Sequence, residues 1–470
     1  MNGETNSLSA DGLRETTGER PFGAAEALTE AARCLYCYDA PCVMGCPAGV
    51  DVPEFIRSLR TGAWRAAARL LIKANPLGES CGCVCPTVVL CEGECVLPRI
   101  DGQAPVAIHR LQRFILRWAR ENQVEVVSSA PPSGKSVALI GAGPAGLACA
   151  FELRRFGHHA VVYEASEHLG GLNRSAIAPH KMASELPRLE AEWLLAGGVE
   201  VVKGVRIGRD LSFAQLEAKH DAVFIGVGQG GDLIPDLPGV SAVPVLGAIE
   251  LIEGLKGTCP SAIAEQARRV RSVAVVGGGN TAVDAARALR AAGVPEVTIV
   301  YRREEALMPA FEHEWQEARR EGVRFRFLSA PEKILAVEGR VTGLGCVTTR
   351  LGAPDETGRR APNPIPGSEH ELPCEAVVFA VGRVGVRALL PDLPADIVVK
   401  GGRVVADPST GATARPGWWA GGDSTSGGRE VVTAAVAGLK AAQAIHRALS
   451  ARDAAPGVVQ GAGRGGTERG

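Results

Sequence analysis

The spacing of apolar residues divides the chain into two regions with different periodicity. Between residues 50 and 78, apolar side chains recur every three or four positions, the spacing of one helix face, and Pro76 ends the pattern. These apolar positions are Phe55, Ile56, Leu59, Trp64, Ala67, Ala68 and Leu71. From residue 136 onward, short apolar runs alternate with helical patterns, as in α/β proteins. The sequence therefore predicts a helical domain over residues 25–127, followed by α/β domains.

The first α/β unit, residues 136–166, contains a glycine fingerprint. Gly141, Gly143 and Gly146 form G-x-G-x-x-G directly after the apolar strand VALI and directly before a helix. Glu164 ends the second strand. Glycines in this context let the backbone approach a pyrophosphate at the helix N-terminus, and the acidic residue suits a ribose hydroxyl. We interpret this unit as a dinucleotide-binding site.

A second unit of the same plan covers residues 271–304. Gly277 and Gly279 follow its first strand, and Ala282 takes the third glycine position. Arg302 and Arg303 stand at the end of its second strand, where an arginine can bind a 2′-phosphate, which favours NADPH. Glutamates 304 and 305 follow at once and could bind a 2′-hydroxyl, so NADH stays an alternative.

Two dinucleotide sites in one chain indicate a flavin and a nicotinamide that exchange a hydride. Residues 417–445 support the flavin, because a strand that ends at Gly422 and Asp423 precedes a helix beginning near Val431 and Val432. The N-terminus of that helix can point at the flavin ring. We therefore expect an FAD domain in two pieces, 136–250 and 384–450, around an NAD(P)H domain at 251–383. The segment 128–135 is predicted to be a linker, and residues 1–24 and 451–470 to be disordered tails.

Nine of the thirteen cysteines lie between Cys34 and Cys95, in two groups. The first group has the spacing C-x₂-C-x₄-C-x₃-C-P, and the second has C-P-x₄-C-x₃-C. In ferredoxins with two clusters, the cysteine before a proline binds the other cluster. By that rule Cys34, Cys37 and Cys42 share one cluster with a distant cysteine, and Cys46 crosses to a second. Zinc is the alternative, but zinc sites usually have paired C-x₂₋₄-C motifs, and this region has one tight C-x₂-C.

Composition excludes several classes of protein. The formal net charge is −1, which gives no general attraction to nucleic acid or to an anionic membrane. No uncharged apolar run reaches 18 residues, and the N-terminus lacks the pattern of a signal peptide. We expect a soluble cytoplasmic protein without nucleic-acid or membrane partners. A reducing compartment disfavours disulfides, so the dense cysteines indicate metal or redox chemistry.

The ordered motifs resemble a known family. CLYCYDAPCVMGCP, NPLGESCGCVCPTVVLCEGEC and LQRF, followed by GAGPAG, GGGNTAVD, YRRE and AGGD, are similar to the NAD(P)H-oxidising flavoprotein subunit of bacterial dihydropyrimidine dehydrogenase. They are more distantly similar to the glutamate synthase small subunit. The resemblance covers residues 25–448. It implies an adrenodoxin reductase-like α/β fold, with a helical domain for two 4Fe–4S clusters followed by two Rossmann-type nucleotide-binding domains.

The resemblance also implies particular ligands. One 4Fe–4S cluster would be bound by Cys34, Cys37, Cys42 and Cys95, and the other by Cys46, Cys85, Cys91 and Gln112. Cys81 and Cys83 are possible substitutes. The implied FAD contacts are Gly141, Gly143, Ala145, Gly146, Glu164, Gly171, Leu172, Lys181, Gly422, Asp423 and Val432. Among them, Lys181 stands where the dehydrogenase has an arginine near the flavin phosphates. The implied NAD(P)H contacts are Gly277, Gly279, Asn280, Thr281, Arg302 and Arg303.

The family's activity gives the expected function. Hydride would pass from NADPH or NADH to FAD, and electrons would then pass through the clusters to an acceptor, without a catalytic acid or base. The chain has no room for an FMN barrel after its nucleotide domains, so we expect a separate FMN-containing catalytic subunit in a hetero-oligomer. The leading hypothesis is the electron-input subunit of a dihydropyrimidine dehydrogenase that acts on uracil or thymine. The alternatives are a glutamate synthase small subunit, against which Gln112 argues, and a non-catalytic scaffold.

Overall fold

A computed structural model describes residues 21–125, 128–243, 245–257, 269–354, 358 and 360–454. Most of both predicted disordered tails, residues 1–20 and 455–470, lies outside these ranges. Within the described part of the chain, no helix is both long and apolar enough to cross a membrane.

The helical region comes first in the chain, and the two strand–turn–helix–strand units that the sequence predicts follow it. The helices are α1 (Ala24–Ala31), α2 (Pro41–Met44), α3 (Val52–Arg60), α4 (Trp64–Ala74), α5 (Gly78–Val84), α6 (Leu97–Ile100), α7 (Ile108–Glu121), α8 (Pro144–Arg155), α9 (Leu172–Ser175), α10 (Glu185–Leu195), α11 (Phe213–Lys219), α12 (Ala248–Lys256), α13 (Asn280–Ala291), α14 (Glu312–Arg320), α15 (Val386–Leu389), α16 (Asp423–Ser426) and α17 (Val431–Ala454). The strands are β1 (Ser136–Ile140), β2 (His159–Glu164), β3 (Glu200–Lys203), β4 (Ala222–Ile225), β5 (Leu246–Gly247), β6 (Ser272–Val276), β7 (Glu296–Val300), β8 (Arg324–Arg326), β9 (Ser329–Val337), β10 (Arg340–Pro354), β11 (Arg360–Pro373), β12 (Ala376–Phe379), β13 (Val399–Lys400), β14 (Arg403–Val404) and β15 (Trp418–Ala420).

The N-terminal region is helical, as the apolar spacing predicts. Asp51 caps α3 by accepting the N–H of Glu54 at 3.1 Å, and this fixes where the helix begins. The apolar faces of α3, α4 and α7 pack together, and Phe55, Ile56 and Leu59 are fully buried. This core continues into the helices that cover one face of the first sheet, so the helical domain and that sheet share one hydrophobic cluster.

Two parallel five-stranded sheets follow. The first has the order β15-β4-β1-β2-β3, and its β15 strand comes from near the end of the chain. The second has the order β5-β12-β6-β7-β8 and has its own hydrophobic core. The N-terminal helical domain and the two parallel α/β sheets confirm the predicted fold class.

The second nucleotide-binding unit has features that the sequence pattern does not predict. Strand β5 pairs with β12 in the second sheet and leads directly into α12. The predicted domain boundary at residue 250 therefore falls inside α12. An antiparallel sheet of β9, β10 and β11 is inserted between β8 and β12. At the other end of the chain, α17 extends to residue 454, into the segment predicted to be a tail.

The first nucleotide unit contains the sheet β15-β4-β1-β2-β3, and the second contains the sheet β5-β12-β6-β7-β8. The chain crosses between these two units twice, and the two crossing segments are hydrogen-bonded to each other. Gly230 N–H donates to the carbonyl of Val384, and Val384 N–H donates to that of Gly231, each at 2.9 Å. The Arg383 guanidinium adds bonds of 2.7 and 2.8 Å to the carbonyls of Gln229 and Gly230. The two crossing segments therefore form one hydrogen-bonded connection.

A buried carboxylate joins the helical domain to the first nucleotide unit. Glu190 on α10 accepts the backbone N–H groups of Glu79 at 2.8 Å and of Ser80 at 3.2 Å, as well as the Ser80 hydroxyl. Burial, reinforced by the nearby Glu79 carboxylate, raises the pKa of Glu190 to about 8. Glu79 in turn pairs with Arg120 through bonds of 2.8 and 2.9 Å. These contacts fix α5, which precedes Cys85.

A substitution at Gly438 tests how closely α8 and α17 pack. A Cβ atom at Gly438 would lie 2.1 Å from the Ala145 carbonyl oxygen, so the two helix backbones are in close contact there. We predict that Gly438→Ala lowers the free energy of unfolding by about 1–3 kcal/mol, because an added methyl overpacks this contact. Denaturant unfolding measures the change. Gln443→Ala, on the exposed face of the same helix, should change stability by less than about 0.5 kcal/mol. Equal stability of the two variants would contradict the prediction.

Candidate functional site

The first glycine turn is shaped by close backbone contacts. Gly141 has φ +100°, and a Cβ there would lie 2.8 Å from the Gly226 carbonyl oxygen. A Cβ at Gly146 would lie 2.0 Å from the carbonyl oxygen of Gly141. Gly143, which caps α8, faces open space instead, since a Cβ there would meet none of the surrounding described residues within 4 Å. The turn therefore leaves room for a pyrophosphate at the N-terminus of α8, as a dinucleotide requires.

Three further segments converge on this turn. The Glu164 carboxylate accepts the N–H of Ala142 at 2.7 Å and that of Ser166 at 2.8 Å, which places it beside the turn. A Cβ at Gly171, the residue before Leu172, would lie 2.9 Å from the Gly143 Cα. A Cβ at Gly422 would lie 2.8 Å from the Ala145 Cβ. Glu164, Gly171 and Gly422, three of the predicted FAD contacts, thus lie around the start of α8.

Asp423 and Val432 complete this side of the site. Asp423 begins α16, and its carboxylate accepts the N–H of Arg429 at 3.2 Å. Burial raises the pKa of Asp423, although the Arg429 N–H and the Arg383 charge oppose this. Val432, in the first turn of α17, is fully buried.

The second glycine turn has the same construction. A Cβ at Gly277 would lie 2.4 Å from the Ala380 carbonyl oxygen, whereas Gly279, which caps α13, faces open space. The Asn280 side-chain oxygen accepts the N–H of Phe311 at 2.9 Å, and Thr281 follows it in α13. This geometry leaves room for a second dinucleotide at the N-terminus of α13.

The two arginines lie beyond the end of β7. The side chain of Arg302 is exposed, and Arg303 Nε is buried without a hydrogen-bond partner among the described residues. Glu305, one of the residues that could bind a 2′-hydroxyl, instead pairs with Arg319 at 3.0 Å.

Lys181 has contacts that the sequence does not indicate. Its ammonium lies 2.7 Å from Asp284 Oδ1 and 2.8 Å from Glu314 Oε1, both in the second nucleotide unit. The structure therefore places the residue predicted to contact the flavin phosphates in an ion-pair cluster between the two units. No local motif signals such pairs, because Lys181 and Asp284 are far apart in sequence.

The cysteines line two cavities in the helical domain. One cavity is lined by Cys34, Cys37, Cys42 and Cys95, with apolar walls that include Ile56. Burial, together with the nearby thiols of Cys34 and Cys95, raises the pKa of Cys42 to about 12. A thiol with this pKa is protonated at neutral pH, so metal binding there would release a proton.

The other cavity contains a different donor set. It is lined by Cys46, Cys81, Cys85, Cys91, Gln112 and Val432, among others. Burial, reinforced by Glu92, raises the pKa of Cys91 to about 12. The side-chain NH₂ of Gln112 donates to the carbonyl of Gly78. The cavity therefore holds the four predicted ligands, and Cys81 also reaches it.

The residues that line each cavity are suitable ligands for an iron–sulfur cluster, both in their chemistry and in their arrangement. Each cavity is surrounded by sulfur donors, and iron–sulfur clusters take one protein ligand per iron from several sides. Among the described residues, no three His, Cys, Asp or Glu side chains converge closely enough to hold a single ion. The contact of Val432 with the second cavity joins that cavity to the flavin side of the molecule, a link that sequence reasoning missed.

Two family models match the chain. The model for dihydropyrimidine dehydrogenase domain II, 4Fe-4S cluster, matches residues 14–124, and the model for pyridine nucleotide-disulphide oxidoreductase matches residues 135–438. Together they support 4Fe–4S clusters, FAD and NADPH or NADH as the cofactors, and an NAD(P)H-dependent oxidoreductase as the enzyme class.

Curated relatives agree with both family models. The glutamate synthase [NADPH] small chain of Halomonas elongata is 37% identical over 444 residues, which cover 90% of this chain and 91% of that protein. The NADP(+)-dependent formate dehydrogenase subunit beta of Moorella thermoacetica is 35% identical over 453 residues, covering 89% of this chain but 61% of that longer protein.

A solved structure shares the fold of the nucleotide domains. The structure of Mycobacterium tuberculosis FprA in complex with NADPH superposes with a TM-score of 0.59 at 19% identity, over 69% of this chain and 86% of that chain. The family matches and the relatives establish the assignment: the chain belongs to the pyridine nucleotide-disulphide oxidoreductase family, among the iron–sulfur flavoproteins related to the glutamate synthase small chain.

Proposed function

We propose that this protein is an electron-input subunit that oxidises NAD(P)H and delivers electrons to a separate catalytic subunit. The observation that carries the proposal is the position of Val432. It lines the cavity of Cys46, Cys85 and Cys91, and it lies in the first turn of α17, ten residues after Gly422, which approaches the start of α8. A cluster in this cavity would thus be next to the flavin.

The chain's residues would hold the cofactors in a series. When bound, FAD accepts a hydride from the nicotinamide and releases the two electrons one at a time to the clusters. The N-terminus of α8 would hold the FAD pyrophosphate, and that of α13 the NADPH pyrophosphate. Cys46, Cys85, Cys91 and Gln112 would bind the cluster nearer the flavin. The outer cluster would be bound by Cys34, Cys37, Cys42 and Cys95.

For the catalytic partner, we propose the FMN-containing subunit of a dihydropyrimidine dehydrogenase. Gln112 supports this choice, because the resemblance that places it as a ligand is to the pyrimidine enzyme, and its side chain lines the second cavity. The identity to a glutamate synthase small chain supports the second candidate, a glutamate synthase small subunit. A cytoplasmic location, inferred from the cysteine usage, belongs to the same proposal.

Reconstitution tests the proposed function. The purified holoprotein should reduce an artificial dye with NADPH, and should support NADPH-dependent reduction of uracil when mixed with a dihydropyrimidine dehydrogenase FMN subunit. Glutamate formation from 2-oxoglutarate and glutamine with a glutamate synthase large subunit, without uracil reduction, would support the second candidate. Failure to reduce any dye despite bound FAD and iron would overturn the enzyme proposal.

The assignment of the cluster ligands leads to a prediction about the iron content of each chain. We expect about eight irons per chain, because each of two clusters contains four. Cys46→Ser and Cys37→Ser should each lower iron to about four and abolish different signals in EPR spectra of the dithionite-reduced protein. Cys83→Ser, which does not line either cavity, should keep about eight. If both ligand variants lost the same signal, the assignment of Cys46 to the second cavity would be wrong.

The position of Arg302 leads to a prediction about the preference for NADPH over NADH. We expect Arg302→Ala to lower kcat/KM for NADPH by roughly 10- to 100-fold, because a hydrogen bond between charged groups contributes about 1.5–3 kcal/mol. The value for NADH should change by less than about threefold, because NADH lacks the 2′-phosphate. Steady-state dye reduction measures both. The exposed Arg324, on the neighbouring strand β8, provides the control Arg324→Ala. An equal loss with both nucleotides would contradict this role.

A further inference from the structure

We propose that Lys181 is a positioning residue for hydride transfer, which holds the NADPH-binding helix α13 against the flavin domain. The inference rests on the NAD(P)H-dependent oxidoreductase activity and does not depend on which subunit receives the electrons. It gives Lys181 a role at the boundary of the two nucleotide units instead of at the flavin phosphates.

The contacts of Lys181 cross that boundary. Its ammonium lies between Asp284 on α13 and Glu314 on α14, at 2.7 and 2.8 Å, and all three side chains are 15–17% exposed. Burial would lower the pKa of Lys181, but the two carboxylates outweigh it and raise the pKa. The Lys181–Asp284 pair is therefore charged and largely shielded from water, where ion pairs are strongest.

Further charged groups extend the cluster on the NADPH side. Arg287 lies 3.3 Å from Glu314 and 2.6 Å from Glu321. On the flavin side, His180 lies 3.7 Å from Asp284. Without Lys181, Glu314 would still be paired with Arg287, whereas Asp284 would have no other Lys or Arg within 4 Å among the described residues. Asp284 and Lys181 thus form the main cross-domain pair.

On both sides of this ion pair, the paired residues lie close in sequence to a glycine turn. Asp284 is one helical turn beyond Asn280, whose side chain accepts the N–H of Phe311 at 2.9 Å. Glu314 follows Phe311 in the first turn of α14. On the other side, Lys181 lies a short loop beyond α9, which begins after Gly171 against Gly143. The ion pair therefore connects the two predicted pyrophosphate sites through short segments of chain.

A second lysine anchors the same flavin-domain segment. Lys256, at the end of α12 in the NADPH unit, donates to the carbonyls of Ile177 at 2.8 Å and Asn173 at 3.4 Å. The two nucleotide units have separate hydrophobic cores. Polar contacts such as these, and not a shared core, therefore have a large part in setting the angle between the units.

The angle matters because hydride transfer is sensitive to distance. The reacting atoms must approach to about 3–3.5 Å, and a misplacement of about 1 Å can cost about 100-fold in rate. A small rotation of the NADPH unit about the two crossing segments would move the nicotinamide away from the flavin while both cofactors stayed bound.

The test compares Lys181→Met/Asp284→Asn with wild type in the FAD-loaded full chain. The double variant removes both charges, so neither side is left as an uncompensated buried charge. We expect unchanged FAD content, a limiting rate of flavin reduction by NADPH lowered roughly 10- to 100-fold in stopped flow, and a Kd for NADPH within about threefold. The long-wavelength charge-transfer absorbance of the flavin–nicotinamide pair should weaken.

Two more variants and one structural readout complete the test. Lys181→Arg should keep at least about a third of the wild-type rate, because it preserves the charge. Lys203→Met, an exposed lysine on β3, should match wild type. Amide hydrogen exchange in residues 172–181 and 280–291 should be faster in the double variant, without NADPH present. Unchanged rate and exchange would overturn the proposal. Loss of bound FAD with a normal rate per remaining flavin would also overturn it, and would place Lys181 at the flavin phosphates.

Discussion

The contact between α8 and α17 is the constraint on which the rest of this structure depends. Gly438 lets the two helix backbones touch, and Gly422 lets the turn before α16 approach Ala145. The N-terminus of α8 is the proposed site of the first dinucleotide, and the first turn of α17 reaches the second cysteine cavity through Val432. One helix pair therefore connects the glycine turn at the start of α8 with the second cysteine cavity, the two proposed cofactor sites. A bulkier side chain at this contact would alter both sites together.

Different forces hold the two boundaries of the flavin domain. The helical domain is joined to it by a continuous hydrophobic core, which is reinforced where Glu190 accepts bonds from the start of α5. The NADPH unit has its own core and meets the flavin domain through ion pairs and the paired crossing segments. Apolar burial is not directional, whereas ion pairs and hydrogen bonds specify geometry. This division suits the proposed electron path from flavin to clusters, beside a nicotinamide unit that is oriented by a few polar contacts.

The sequence predicts the features that depend on local patterns. The glycine turns, their strands and the helical domain are each encoded within short stretches of chain, and the structure has them where the patterns indicate. Strand β5 is not predicted, because two residues carry no periodicity, so the boundary expected at residue 250 falls inside α12. The pairing of Lys181 with Asp284 joins residues with no shared motif. Cys95 and Gln112 are connected to the earlier cysteines through the family resemblance, since spacing alone indicates a distant ligand without identifying it.

The redox sites are proposed to lie in a linear order, with the flavin beside the cavity of Cys46, Cys85 and Cys91 and the other cluster farther out. Anomalous diffraction at the iron absorption edge, from crystals of the FAD-loaded holoprotein, tests this order directly. We predict two four-iron peaks, one beside Val432 between the flavin ring and the second peak, and the other among the thiols of the first cavity. A single peak, or two peaks with the Cys34 cavity nearer the flavin ring, would contradict this order.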